Sequence, residues 1–317
     1  MREFIIQQDD ANQRVDKFIQ KTIPKLPKSM MYKCIRNKKI KVNRKRCEIS
    51  QRLEVGDQVL CFIAEEFFDN PVSFDFLEVP GKIDVLYEDD DIVLMKKPSG
   101  LLTHKDKKEA QDNLADRFLH YLYDEKAFDP YATQSFKPAL CHRLDRNTEG
   151  IMIGAKSAEA LRKMNEHIKQ HEVEKRYVCI VEGVVEEKEK DSKLWHYKDE
   201  AKNKVTLFEE ERENCVAVHT SYRVLKQGKR YALVEVLLHT GKSHQIRAVM
   251  AHEHHPLYGD VKYGAKKNDR HDYQALCAYR LTFAFDDPYF PQLSNQEYRL
   301  NDNSVMTLYT ELEEKKR

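Results

Sequence analysis

Two short segments concentrate residue types that can carry acid–base or nucleophilic chemistry. In the first, CHRLDRNTEG at residues 141–150, Asp145 lies between Arg143 and Arg146. A neighbouring guanidinium group keeps a carboxyl group ionised, which suits a nucleophile or charge stabiliser better than a general acid. Taken alone, the same residues are also compatible with a structural salt bridge.

The second segment, HTGKSHQIR at residues 239–247, joins an apolar strand to a short helix. After a turn at Gly241, His244 and Arg247 are expected on one face near the positive end of the helix. This position favours an anion, either a carboxylate from elsewhere in the chain or a phosphate. A nucleotide-binding phosphate loop is not predicted, because that motif needs glycine at position 236, where this chain has Val236.

Metal and cofactor motifs are not found. The run from His252 to His255 contains adjacent histidines that point to different sides of a helix, and the HExxH spacing is missing. The seven cysteines form no CxxC pair, so they predict reduced residues and neither disulfides nor a thiolate zinc site. We therefore expect no cofactor and no metal.

Hydrophobic patterns predict the elements that position these segments. Strand-like and helix-like stretches alternate irregularly, and strands predominate, which predicts an α+β domain around a large mixed or antiparallel β-sheet with flanking helices. Charged stretches at 186–193 and 311–317 predict a hairpin tip or insertion and a solvated tail. Strands are predicted over 83–87, 92–95, 150–155, 177–181, 216–224, 231–238 and 276–285, and helices over 111–123, 158–170 and 244–252.

Positive charge is concentrated near the amino terminus. Residues 11–60 contain fourteen Lys or Arg and four acids, a net +10, whereas the whole chain carries only +1. Such a block favours binding to a phosphate backbone, with a solvated surface as the alternative. Two amphipathic helices, one around Val15 and Phe18 and one opening at Ser29, precede short strands and a tight turn at Asn43-Arg44, so this region is predicted to fold.

Length and composition bound the remaining possibilities. A chain of 317 residues with 41% hydrophobic residues suggests two folded domains. No apolar run reaches the roughly 18 residues of a membrane span, and the first eight residues do not resemble a signal peptide. We expect a cytoplasmic monomer with no membrane partner.

The ordered motifs KKPSGLLTH, HRLDRNTEG, KRYVCIVEG and TGKSHQIR resemble those of the RluA-type pseudouridine synthases. The amino-terminal helix pair with its Val-Asn turn and Val-Gly-Asp strand entry resembles an alpha-L RNA-binding module. The resemblance implies an alpha-L domain over 1–64, a linker over 65–81 and a pseudouridine synthase catalytic domain over 82–317. Glu149, where the family usually has Ser, and Lys242-Ser243, where it usually has Arg-Thr, depart from its pattern.

The resemblance also implies roles for individual residues. Asp145 would be the catalytic aspartate, Arg247 its salt-bridge partner, and Tyr177 the residue that stacks under the base and helps to remove the proton from carbon 5. Arg143 would occupy the place of the flipped base. Further substrate-binding candidates are His142, Thr148, His244 and Gln245, and candidate RNA contacts are Arg14, Lys28, Lys33, Arg36, Lys38, Lys39, Lys41 and Arg44.

The predicted activity is the isomerisation of specific uridines in structured RNA, most simply 23S ribosomal RNA. Two alternatives stay open: the same reaction on transfer RNA, and a non-catalytic RNA-binding or ribosome-assembly protein that kept the fold. Conversion of uridine to pseudouridine would distinguish the enzyme from the non-catalytic protein. The identity of the modified RNA would distinguish ribosomal RNA from transfer RNA as the substrate.

Overall fold

The structure, a computed structural model, describes residues 1–69, 74–106, 112–267 and 271–314. It contains a four-stranded sheet near the amino terminus and an eleven-stranded sheet in the rest of the chain. The large sheet is mixed, since β8 (Glu149–Ala155) pairs in parallel with β14 (Leu276–Phe283) while its other pairings are antiparallel. The predicted α+β class with a large mixed sheet is confirmed.

The amino-terminal part contains the two expected helices and short strands. Helices α1 and α2 pack their apolar faces into a separate hydrophobic cluster that includes the buried side chains of Phe18 and Ile35. The elements are β1 (Arg2–Ile5), α1 (Val15–Thr22), α2 (Lys28–Arg36), β2 (Ile40–Val42), β3 (Lys45–Arg46) and β4 (Gln58–Cys61), with strand order β1-β4-β2-β3.

The predicted turn at Asn43-Arg44 joins β2 and β3. Both residues have positive φ angles, 51° and 64°, and Val42 pairs with Lys45 across the turn. Two consecutive left-handed residues give the two-residue hairpin turn whose twist matches the flanking strands. Arg44 therefore holds a position where glycine would cost less strain, and it exposes a cation at the hairpin tip.

The large sheet has the order β11-β10-β12-β13-β9-β14-β8-β6-β5, with β7 beside β8 and β15 beside β14. Its remaining strands are β5 (Asp84–Glu88), β6 (Ile92–Lys97), β7 (Ala139–Leu140), β9 (Val173–Glu182), β10 (Glu189–Asp199), β11 (Lys204–Phe208), β12 (Val216–Gln227), β13 (Tyr231–Leu238) and β15 (Glu297–Arg299). The helices are α3 (Leu114–Asp124), α4 (Ala158–Lys169), α5 (Gln245–His252) and α6 (Ser304–Glu314).

The two faces of the sheet bury different hydrophobic clusters. In β9, Tyr177 and Cys179 belong to one cluster, while Val178 and Ile180 belong to the other. This follows from the period of two along a strand. The Tyr177 face also packs against Leu144 and Ile246, so it brings together the segments that carry Asp145 and Arg247.

Two local predictions are wrong. Residues 189–193 belong to β10 and pair with β12, and so are not a hairpin tip. Glu189, Asp191 and Lys193 face solvent there while Ser192 and Leu194 are buried, a half-buried alternation that the run of charges hides. Helix α6 continues to Glu314 with Leu312 buried, so the tail is not solvated up to that point, and residues 315–317 lie outside the described residues.

The predicted linker contains two short 3₁₀ helices, Glu65–Phe67 and Asp75–Glu78. Phe68 packs in the amino-terminal cluster and Phe76 in the cluster that contains Tyr177. Asn70-Pro71, which helped to define the linker, lies outside the described residues, as does Gln111 at the start of the predicted helix. The domain boundaries stay predictions.

Acidic side chains fasten the amino-terminal part to the rest of the chain. Asp10 accepts hydrogen bonds from the backbone N–H and the hydroxyl of Ser135, at 3.1 and 2.5 Å. Asp9 accepts from the Ala158 N–H at 2.8 Å, at the positive end of α4. The basic surface is thus held at a defined place relative to the large sheet. Among the described helices, none has both the length and the apolar character to traverse a bilayer.

Candidate active site

A cavity opens where the loop after β7, the strand β9 and the start of α5 meet. It has about 60 Å³ of free space and is open to solvent, with the exposed side chains of Arg143 and Lys242 at its rim. It is lined by Arg143, Leu144, Asp145, Thr148, Tyr177, Leu238, Lys242, His244, Gln245, Ile246, Arg247 and Leu276. The structure therefore gathers seven of the eight predicted catalytic and substrate-binding residues.

Asp145 is presented by a loop with fixed backbone. The Thr148 N–H donates to the Asp145 carbonyl at 3.0 Å, closing a turn. The buried Thr103 hydroxyl donates to the Leu144 carbonyl at 2.7 Å and accepts from the Leu144 N–H at 3.2 Å. These hydrogen bonds hold the backbone from which the Asp145 side chain projects.

Lys97 also holds the loop that carries Asp145. Its fully buried ammonium group donates to the carbonyls of Pro98, Leu101 and Arg146, at 3.0, 2.6 and 2.8 Å. These bonds use all three donors of a lysine. Burial lowers the pKa of Lys97 to about 8. The motif KKPSGLLTH therefore serves to hold the Asp145 loop, a role that its sequence did not indicate.

The guanidinium group that reaches Asp145 comes from Arg247. Its Nη1 lies 3.3 Å from Asp145 Oδ2, and the predicted ion pair is present. Among the described ion pairs, none joins Asp145 to the nearby Arg143 or Arg146: Arg143 is exposed and Arg146 Nε donates to the Gly100 carbonyl at 3.2 Å. In a loop, neighbouring side chains diverge, so adjacency in sequence is a poor guide to ion pairing.

Arg247 is itself held by a buried carboxylate, Asp260. Its Nε and Nη2 donate to the two Asp260 oxygens at 2.6 and 2.8 Å, a bidentate arrangement. Arg247 is 8% exposed and Asp260 is 2% exposed. Asp260 lies 13 residues after Arg247, beyond the segment 239–247, and no spacing rule relates it to Arg247, so sequence reasoning missed it.

Tyr177 lines the cavity floor as a neutral phenol. Burial, with the negative charge of Asp145 as a second cause, raises the pKa of Tyr177 well above its usual value. A phenolate is correspondingly disfavoured next to Asp145. The arrangement suits a flat apolar surface for stacking better than a proton acceptor.

His244 caps α5 in a left-handed conformation, with a φ of 54°, and does not form part of its first turn. Its Nε2 lies 3.9 Å from Asp145 Oδ2, and burial lowers the pKa of His244 to about 4, against the opposing effect of Asp145. The Tyr263 hydroxyl accepts from the Val205 N–H at 2.9 Å and contacts His244 Nδ1 at 2.9 Å. This arrangement favours donation from Tyr263 to Nδ1, which would place the Nε2–H of the neutral ring towards Asp145.

Gln245 and Thr148 line the cavity but bond to the protein. The amide of Gln245 donates to the His219 carbonyl and the Thr220 hydroxyl, and its oxygen accepts from the Thr240 hydroxyl and the Lys242 N–H. The Thr148 hydroxyl accepts from Gln274 Nε2 at 3.2 Å. These contacts make Gln245 a scaffold for the turn that presents His244.

His142 and Glu149 are not among the residues that line the cavity. Nε2 of His142 accepts from the Ile153 N–H at 3.2 Å, and burial lowers the pKa of His142 to about 3, so the ring is a neutral structural group. Glu149 is 5% exposed, pairs with Lys96 at 2.7 Å and accepts from the Ser304 N–H at the start of α6. The carboxylate at this departure from the family pattern thus has a partner, the half-buried Lys96.

The predicted RNA contacts lie on the amino-terminal part and are exposed, except for the half-buried Lys41. Arg14 is engaged by Asp16 through two bonds of 3.0 Å. Lys41 lies over the Phe62 ring at 5.5 Å. Of the described residues, none forms an ion pair with the other six: Lys28, Lys33, Arg36, Lys38, Lys39 and Arg44.

Comparisons with known proteins agree with this geometry. A family model described as RNA pseudouridylate synthase matches residues 91–252. The chain is 31% identical over 308 residues to a protein of Mycoplasma genitalium named "Uncharacterized RNA pseudouridine synthase MG370", covering 92% of this chain and 93% of that one. It is also 31% identical over 265 residues to ribosomal large subunit pseudouridine synthase C of Escherichia coli K12, covering 83% and 79%.

A solved structure shares the fold. Human RNA pseudouridylate synthase domain containing 4 superposes with a TM-score of 0.56 at 21% identity, over 71% of this chain and 90% of that one. The resemblance drawn from the four motifs is confirmed by these matches. The chain belongs to the RNA pseudouridylate synthase family and is an isomerase that acts on RNA.

Proposed function

We propose that this enzyme converts specific uridines of large-subunit ribosomal RNA to pseudouridine, with Asp145 as the central reacting group. The observation that carries the proposal is that Asp145 is the one carboxylate among the described residues that line the cavity, where Arg247, His244 and Tyr177 surround it. The substrate class is supported by the Escherichia coli relative, whose name specifies the large ribosomal subunit.

The reaction is balanced without an external group. The bond between the sugar C1′ and the base N1 breaks, the base turns, and C1′ bonds to C5, while C5 loses a proton and N1 gains one. One ionised carboxylate can act as nucleophile or as base in this sequence. Both routes are compatible with the position of Asp145.

Arg247 is proposed to position and stabilise the Asp145 carboxylate. Because Asp260 binds two of its nitrogens, the guanidinium group is fixed before substrate arrives, and only Nη1 is left for Asp145. A preorganised charge of this kind avoids reorganisation during the reaction. Asp260 is thus a positioning residue for Arg247.

Tyr177 is proposed to stack under the uracil ring. The raised pKa of Tyr177 disfavours the second role expected for it, acceptance of the C5 proton, because a base must be deprotonated to act. We assign that proton to another acceptor, either the Asp145 carboxylate or water. Tyr177→Phe should then retain most of the activity.

Arg143 is proposed to fill the gap left by the flipped base. It is exposed at the cavity rim, where its planar guanidinium group can stack on the neighbouring bases. Flipping costs roughly a few kcal/mol in structured RNA, so a group that replaces the lost stacking lowers this cost.

The amino-terminal part is proposed to be an alpha-L RNA-binding domain over 1–64 that anchors the enzyme to the phosphate backbone. Its support is the exposed cluster of lysines and arginines on a module with its own hydrophobic cluster. A monomer that acts in the cytoplasm is the simplest form of this proposal.

The decisive experiment maps pseudouridine in ribosomal and transfer RNA from cells that lack the protein and are complemented with wild type, Asp145→Asn or Asp90→Asn. Asp90 is an exposed carboxylate in the β5–β6 turn and serves as the matched control. We expect ribosomal sites to return with wild type and Asp90→Asn, and turnover of Asp145→Asn to fall on the order of 10⁴-fold or more.

The other outcomes are distinguishable. If pseudouridine returned only in transfer RNA, the substrate would be transfer RNA and not ribosomal RNA. Full modification by Asp145→Asn would contradict the catalytic assignment, and RNA binding without any base conversion by wild type would favour the non-catalytic alternative.

A further inference from the structure

A cluster of potential metal ligands lies on the face of the sheet opposite the candidate active site. In β12, Tyr222 belongs to the buried cluster that contains Tyr177, and Thr220 bonds to Gln245 of α5. Since neighbouring residues of a strand face opposite ways, His219 and Ser221 point to the other side. Asp191 of the adjacent β10 pairs in register with Ser221. His239 follows β13 directly.

The side chains converge closely. Nε2 of His219 lies 2.7 Å from Asp191 Oδ1, and the Ser221 hydroxyl lies 2.5 Å from the same oxygen and 2.7 Å from His239 Nε2. The rings of His219 and His239 stack with centroids 3.9 Å apart and an interplanar angle of 15°. One ligand atom each from Asp191, His219 and His239 lies within 4.8 Å of the others.

Two imidazole nitrogens and one carboxylate oxygen are a ligand set that binds divalent transition metals, zinc above all. With metal–ligand bonds of about 2.0–2.2 Å, two ligand atoms of one ion lie at most about 4.4 Å apart, so these atoms must draw closer and the stacked rings must turn until both ring nitrogens point at the ion. His219 and His239 are half-buried and Asp191 is exposed, so an ion has access from solvent. Hard cations such as Mg²⁺ prefer oxygen ligands and should not compete.

We propose that Asp191, His219 and His239 form a binding site for one divalent transition-metal ion of the zinc type. The Ser221 hydroxyl, now between Asp191 and His239, orients these ligands from outside the coordination shell. A bound ion links β10, β12 and the end of β13. His239 is also the first residue of the segment that leads through Gly241 to His244. A bound ion would therefore restrain the start of that segment from the face of the sheet opposite the candidate active site.

The test uses the full-length protein, with Zn²⁺ titrated by calorimetry and Co²⁺ monitored by its visible spectrum. Wild type should bind one ion per chain, and Mg²⁺ should not bind in the same range. His239→Gln retains a polar partner for Ser221 but removes a ligand nitrogen, so it should weaken Zn²⁺ binding by at least about tenfold. His219→Asn should have a comparable effect.

His252→Ala is the matched control, because His252 is also a half-buried histidine paired with a carboxylate, Glu209, at 2.8 Å. Its Zn²⁺ affinity should equal that of wild type. Zn²⁺ should also raise the melting temperature of wild type and not that of His239→Gln. Asp145→Asn should bind Zn²⁺ normally, which separates this proposal from the proposed function.

Three results would overturn the proposal. They are no Zn²⁺ binding by wild type at millimolar concentration, equal affinity in wild type and both ligand variants, and loss of binding in His252→Ala. Should a ligand variant fail to fold, Co²⁺ added to wild type provides an independent measurement. Paramagnetic shifts of the His219 and His239 ring resonances would then support the site, and unshifted rings would refute it.

Discussion

The candidate active site and the amino-terminal basic surface use charge in opposite ways. In the cavity, Arg247 is 8% exposed and has two carboxylate partners, so its position is determined before any substrate binds. On the amino-terminal surface, Lys33 and Lys39 are exposed and form no ion pair with any described residue. Chemistry needs few charges at fixed distances, whereas affinity for RNA needs many accessible charges that can adapt to a phosphate backbone.

The same contrast applies to solvent and salt. Buried pairs are screened weakly, while exposed charges lose most of their long-range effect beyond about 10 Å at 0.1 M salt. Substitutions in the cavity should therefore change turnover with little dependence on salt. Substitutions on the basic surface should change affinity in a strongly salt-dependent way.

After Asp145→Asn, the largest effect is expected from Asp260→Asn. Loss of the bidentate partner leaves the buried Arg247 free to shift, and a misplacement of about 1 Å costs on the order of 10²-fold in turnover. Single-turnover kinetics at saturating RNA measure this, with Asp90→Asn as the control and circular dichroism to verify folding. Unchanged turnover in folded Asp260→Asn would show that Arg247 does not need this carboxylate.

Substitutions of Arg143 test whether this side chain at the cavity rim acts through its planar stacking surface or through its positive charge. Arg143→Ala should lower turnover on structured RNA about 10- to 100-fold more than on single-stranded RNA, in line with a flipping cost of a few kcal/mol. Arg143→Lys keeps the charge but not the planar stacking surface, so it should resemble Ala. Equal losses on both RNAs would contradict a role in flipping.

Substitution of His142 tests how much folding stability is lost at low pH because this imidazole stays neutral in the folded protein. Burial lowers the pKa of His142 to about 3 from 6.5, so below pH 6.5 the unfolded chain takes up the proton and the folded chain does not. Stability therefore falls with pH through this window, by about 2 kcal/mol at pH 5 from this residue.

Urea unfolding at pH 7 and pH 5 measures this loss. The difference in the free energy of unfolding between pH 7 and pH 5 should shrink in His142→Asn. It should stay unchanged in His254→Asn, a control at an exposed histidine. An unchanged difference in His142→Asn would mean that the ring is protonated in the folded protein.

The smallest effect per substituted residue is expected from the lysines of the amino-terminal basic surface. Replacing Lys28, Lys33, Lys38 and Lys39 together by Gln should lower the slope of log Kd against log salt by up to about 3 units, since each lost phosphate contact contributes about 0.7. The control set has the same change in net charge on exposed lysines in the part of the chain that contains the large sheet, namely Lys169, Lys202, Lys226 and Lys229. Equal slopes for the two sets would remove the amino-terminal surface as the anchor.

Local patterns were sufficient for several features of this protein. The apolar spacing of Val15, Phe18 and Ile19 identified the buried face of α1, and the ordered motifs around Asp145 and Arg247 identified the family. The charged strand β10 was missed, because alternate burial is invisible when the exposed positions are charged and several buried ones are polar. Helix α6 was missed for a similar reason, since its charged end hides the buried Leu312.

By itself, the sequence determined the strand-rich α+β class and the basic amino-terminal segment, because these depend on residue types and on periods of two or 3.6. Its resemblance to the family's ordered motifs pointed to Asp145. The resemblance had already implied that Arg247 pairs with Asp145, but only the tertiary structure decided that Asp260 holds Arg247. It also brought Asp191, His219 and His239 together from separate strands. The physical reason is that ion pairs and ligand clusters depend on distances through space, which strand order and register set between residues far apart in the chain.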